Sequence, residues 1–139
     1  METGRAIASA LSRVLAEQPG IASAYLFGSV AEDRAHRESD ADLGVLLAYE
    51  AYPRAADRFD ARLLLISRLT AAVKCEVDVV ILNDAPPQLA RHIMTKGRRV
   101  FVADAAADHA CLRTALSRAA DLEPFLRRAR RVKLTALSR

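Results

Sequence analysis

Apolar residues at Ile7, Ala10, Leu11, Val14 and Leu15 recur at helical spacing, so residues 3–17 are expected to form an amphipathic helix. Thr3 stands where a cap is needed, and Pro19-Gly20 stops the pattern. Ile21 to Phe27 is then an apolar and aromatic run suited to a buried strand. A polar crossing over 30–39 leads to a second strand, Asp40 to Ala48, in which Leu43, Val45, Leu46 and Leu47 are nearly continuous. After a turn at 49–53, Tyr52, Ala56, Phe59, Leu63, Ile66, Thr70 and Val73 step by alternating fours and threes. That seam predicts a helix packed on a sheet. Cys75 to Leu82 is rich in β-branched residues and reads as a third strand, with Val77, Val79 and Ile81 on one face and Asp78 on the other. Pro86-Pro87 opens a helix over Gln88 to Lys96, with Leu89, Ile93 and Met94 inward, and Gly97 closes it. Arg98 to Ala103 is a short last strand. Residues 105–123 are expected to be helical through Cys111, Leu112, Ala115, Leu116 and Ala119. Pro124 interrupts them, and 125–137 forms a second helical piece.

These elements predict an α/β fold: a small mixed sheet of about four strands flanked by helices, mainly on one side. At 139 residues the chain is long enough for one core. Its 52% hydrophobic and 27% charged content excludes wholesale disorder. No apolar run approaches a membrane span. The first twenty residues lack a basic start followed by a solid apolar block, so they read as a helix and not a signal peptide. Cys75 and Cys111 have no Cys-x-x-Cys spacing and are expected as two buried thiols in a cytoplasmic protein.

Charge is divided along the chain. Residues 1–90 carry nine Lys and Arg against thirteen Asp and Glu, whereas residues 91–139 carry twelve against four. The basic C-terminal region reads either as a helix packed on the domain or as a docking surface for a partner protein. Aromatic residues are hardly interleaved with the basic ones, so nucleic acid is not expected as a direct partner.

The chemistry concentrates in Tyr25 to Leu47. Gly28 lets the first strand turn sharply and lets another group approach. Ser29 follows at the start of a segment whose free N–H groups suit a phosphate. Ten residues later come Asp40 and Asp42, which share one face of a strand. Two such carboxylates either solvate a strand end or hold a cation between them, and hard oxygen ligands suit Mg²⁺. Placed after a Gly-Ser that ends the preceding strand, they are read as metal ligands.

The pattern Gly-Ser, ten residues, Asp-x-Asp resembles the signature of the nucleotidyltransferase superfamily with the DNA polymerase β palm-like fold. It is most similar to the minimal, MNT-domain members, which include antitoxins paired with HEPN-domain toxins. The resemblance runs from about Ile21 to Val102, and the segment from Cys75 to Phe101 also looks like the matching MNT segment. It implies that Gly28 and Ser29 hold the nucleotide triphosphate and that Asp40 and Asp42 bind Mg²⁺. It implies that Asp78 is the third carboxylate, sharing a metal and taking the proton of the attacking hydroxyl. The implied division is a nucleotidyltransferase domain over 1–103 and a C-terminal helical extension over 104–139 packed on it. The implied reaction transfers AMP from ATP, with two Mg²⁺ ions, to a hydroxyl, a tyrosine, of a cognate HEPN ribonuclease toxin. Where family members often carry a basic residue and a glycine soon after Gly-Ser, this chain has Glu32 and Asp33, which would repel a triphosphate. Those two residues favour the alternative of a non-catalytic antitoxin that neutralises its partner by contact.

Overall fold

The computed structural model describes residues 4–28 and 41–137, with side chains described through Arg131. The elements in chain order are α1 (Gly4–Glu17), β1 (Ile21–Phe27), β2 (Ala41–Leu47), α2 (Ala55–Val73), β3 (Val77–Ile81), α3 (Pro87–Lys96), β4 (Arg98–Val102) and α4 (Ala105–Leu137). Among the described residues the four strands form one mixed sheet in the order β3-β2-β1-β4. β1 is antiparallel to both β2 and β4, and β2 is parallel to β3.

Both faces of the sheet are covered, against the expectation of helices mainly on one side. Leu11, Leu15, Leu65 and Leu69 of α1 and α2 pack with Leu26, Leu43, Val45 and Val79 on one face. Ile93 and Met94 of α3 and Ala115 of α4 pack with Ala22, Tyr25 and Leu46 on the other. Gly44 sits under α3, where an added Cβ would lie 2.6 Å from Ile93 Cγ2, so the bare backbone sets how closely that helix approaches. The long apolar run of β2 is explained by burial on both faces.

Three further expectations are corrected. The first concerns α2, which turns a different seam inward. Its buried residues are Arg58, Ala61, Leu65, Leu69 and Val73, whereas Phe59 and Leu63 are 55% and 48% exposed. Leu63 to Ile66 is apolar all round the helix, so spacing alone could not choose the stripe that packing on α1 and the sheet selects. In the same way Leu89 of α3 faces outward and Ala90 inward. The second correction is that α4 runs unbroken through Pro124. That residue is exposed, so the carbonyl it leaves unbonded is solvated, and the surrounding Leu, Ala, Glu and Arg residues favour helix. The third is that Cys75 and Cys111 are only half-buried.

A buried polar cluster fixes α4 to the sheet. Asp108 Oδ1 accepts from Ser23 Oγ at 2.6 Å and from Tyr25 Oη at 2.7 Å, while Arg99 Nη1 donates to its other oxygen at 3.2 Å. Ser23 and Asp108 are almost fully buried, so this satisfaction is obligatory. No buried side-chain nitrogen or oxygen among the described residues lacks a partner.

Candidate active site

β1 ends at Phe27, and Gly28 follows at φ 82°, a left-handed turn that a side chain would strain. Phe27 is opposite Asp42 in the antiparallel pair, so Gly28 stands next to the first residues of β2. A Cβ on Gly28 would stand 2.7 Å from Asp42 Oδ2. The glycine therefore leaves an open cradle beside that carboxylate oxygen.

Asp42 is also paired, across the parallel ladder, with Asp78. Neighbouring strands lie about 4.8 Å apart, and residues in register point to the same face. The two carboxylates are therefore side by side at one end of the sheet, on the face shared with Gly44 and Val80. β3 is an edge strand, which leaves Asp78 open to solvent, its side chain 58% exposed. Its neighbours on β3, Val77 and Val79, are buried on the opposite face.

Asp78 is held by α2. Arg62 Nη2 donates to Asp78 Oδ1 at 3.0 Å, and Arg62 Nε donates to the Val79 carbonyl at 2.6 Å. The Val79 N–H donates to the same Oδ1 at 2.9 Å. The Val77 N–H meets Thr70 Oγ1 at 3.2 Å, so side chains occupy much of the outer edge of β3 and deter pairing with another strand.

Gly28 and Asp78 thus both lie beside Asp42. Ser29 and Asp40, with Glu32, Asp33 and the rest of the crossing, lie outside the described residues. Among the described residues no group of three or more His, Cys, Asp or Glu gathers as a metal site. Two hard carboxylates in register, with the glycine cradle open beside one of them, nonetheless fit a divalent cation, since like charges this close repel unless one lies between them. Sequence reasoning missed Arg62. It lies sixteen residues before Asp78, and only the packing of α2 against β3 joins them.

This mixed α/β sheet carries an acidic pair in register at one end. Residues 9–106 match the family described as polymerase beta, nucleotidyltransferase, and the chain belongs to that family. Among individual relatives, it is 35% identical over 85 residues to the protein adenylyltransferase MntA of Shewanella oneidensis. That match covers 60% of this chain, and the chain spans about half of the relative's length, 55%. Two of the solved structures that share the fold are toxin-antitoxin proteins. One is a toxin-antitoxin with AMP-PNP, with a TM-score of 0.69, 23% identity, and coverage of 95% of this chain and 98% of that one. The other is a tri-AMPylated Shewanella oneidensis HEPN toxin in complex with its MNT antitoxin, with a TM-score of 0.66, 20% identity, and coverage of 99% and 100%. No described helix is long and apolar enough to cross a membrane.

Proposed function

We propose that this chain is a protein adenylyltransferase of the antitoxin type, transferring AMP from ATP to a hydroxyl, a tyrosine, of a cognate HEPN toxin in the cytoplasm. The observation that carries the reading is the register of Asp42 with Asp78, with Gly28 open beside Asp42 Oδ2. The names of the relatives support the choice of nucleotide and acceptor.

In this reading Asp40, Asp42 and Asp78 hold Mg²⁺, two ions in all, and Gly28 and Ser29 seat the triphosphate. Bound Mg²⁺ would neutralise charge on the reacting phosphate and the departing pyrophosphate. Asp42 lies at the end of an inner strand, where Phe27 on one side and Asp78 on the other hold its backbone in register before any ligand arrives. Asp78, at the open edge, is the carboxylate an incoming acceptor can reach, which suits it to take the proton of the acceptor hydroxyl. The oxygen so activated attacks the α-phosphorus of ATP, a new O–P bond forms, and pyrophosphate leaves. Residues 1–103 carry the reaction, and 104–139 serve as a helical extension attached through Asp108.

The test is mass spectrometry of the toxin after incubation with the chain, ATP and Mg²⁺, beside an Asp42→Asn variant. A gain of one or more AMP groups that the variant fails to give is the expected result. No gain, with a tight complex that still silences the toxin, replaces this reading with the non-catalytic one. One feature favours that second reading: the outer part of α4 displays Arg127, Arg128, Arg130 and Arg131 around a Phe125 that is 65% exposed, as a docking helix would.

A further inference from the structure

We propose that Arg62 is a positioning residue that limits Asp78 to one metal-facing oxygen and competes with the cation for its charge. The inference rests on the proposed nucleotidyl transfer and concerns how its edge carboxylate is set.

The guanidinium makes a fork. One arm, Nε, is anchored on the Val79 carbonyl at 2.6 Å, and the other, Nη2, reaches Asp78 Oδ1 at 3.0 Å. Because the first arm binds backbone, the position of the second is fixed by the strand itself. Oδ1 also accepts the Val79 N–H at 2.9 Å, so two donors converge on this one oxygen. A carboxylate fixed in this way has only Oδ2 left for a cation and is kept from turning to bind with both oxygens. This matters at Asp78 more than at Asp42. Asp42 lies in an inner strand, whereas Asp78 lies in an edge strand with a side chain that would otherwise rotate freely in solvent.

The same guanidinium is a positive charge in contact with a proposed metal ligand. It must weaken cation binding, because like charges near one carboxylate share its attraction. Both partners are partly exposed, at 31% and 58%, so water moderates the effect. Geometry and charge therefore act in opposite directions, and substitution separates them. Arg62→Ala removes both. Arg62→Lys keeps the charge but cannot bridge Val79 and Asp78 as a fork.

The experiment is titration of Mn²⁺ into the full chain, followed by the electron paramagnetic resonance of free Mn²⁺, with AMP transfer measured in parallel. Arg62→Ala is expected to bind Mn²⁺ about 3- to 10-fold more tightly than the wild type. Its kcat for transfer should fall about tenfold, with KM for ATP little changed. Arg62→Lys should bind Mn²⁺ as the wild type does and share the kcat loss. Circular dichroism and melting confirm that the variants fold. If Arg62→Ala binds Mn²⁺ no more tightly, or the wild type binds none, the inference is overturned and Arg62 only caps the edge of β3. Full transfer by Arg62→Lys also overturns it. Tighter Mn²⁺ binding by Arg62→Ala in a protein whose wild type transfers no AMP would sustain the competition at Asp78 and remove the transfer reading instead.

Discussion

Tyr25 Oη donates a 2.7 Å hydrogen bond to Asp108 Oδ1 across 83 residues of chain, joining the strand that leads into the site to the helix that carries the basic region. Burial, then the neighbouring carboxylate, pushes the Tyr25 phenol well above its ordinary value of 10.0. In the unfolded chain the phenol ionises near pH 10; in the folded protein it stays protonated. This group's contribution to stability is therefore complete below about pH 10 and falls as pH rises beyond it, because the unfolded chain loses the proton first. Thermal melts from pH 8 to 11 should show the loss. Tyr25→Phe should flatten that alkaline slope while lowering stability by about 1–2 kcal/mol at neutral pH. Asp108→Ala leaves two buried hydroxyls without their acceptor and should cost about 2–4 kcal/mol by urea unfolding.

Replacing either carboxylate of the pair with its amide removes charge without changing shape. Asp42→Asn and Asp78→Asn should each lower AMP transfer by at least about 100-fold. Asp78 is exposed, so its variant should melt within about 1 °C of the wild type. A folded Asp78→Asn protein with undiminished transfer would remove Asp78 from the chemistry.

Gly28→Ala places a methyl where Asp42 Oδ2 now lies 2.7 Å away and forces a side chain into φ 82°. We expect a stability loss of about 1 kcal/mol and a much larger loss of transfer, because the shift falls on a proposed metal ligand. Equal losses in the two measurements would mean that the glycine serves only the turn.

Ending the chain at Asp121 removes the outer part of α4 but keeps Asp108, Ala115 and Ala119, which hold the helix to the body. The shortened protein should fold with a melting temperature within about 3 °C of the full chain. Calorimetry should show weakened binding of the toxin if Phe125 and its arginines form the docking face. Unchanged affinity places the interface elsewhere.

Local pattern determined much of this protein. β1 is the run Ile21–Phe27 read from its apolar character, and the other strands differ from expectation only at their ends. Apolar spacing in α1 named Ile7, Leu11 and Leu15, which are buried. A period of two put Asp40 and Asp42 on one face and Asp78 opposite Val77 and Val79, whereas the place of Asp78 beside Asp42 was implied only by the family resemblance. Tertiary structure decided the rest. The inward face of α2 depended on what packs against it, since its apolar residues surround the helix. The covering of both sheet faces depended on which side each crossover took. The bonds from Arg62 to Asp78 and from Tyr25 to Asp108 join residues far apart in the chain. No local periodicity encodes such pairs: the first arises because packing lays α2 along the edge of β3, and the second because packing removes Tyr25 and Asp108 from water and requires each to find a partner.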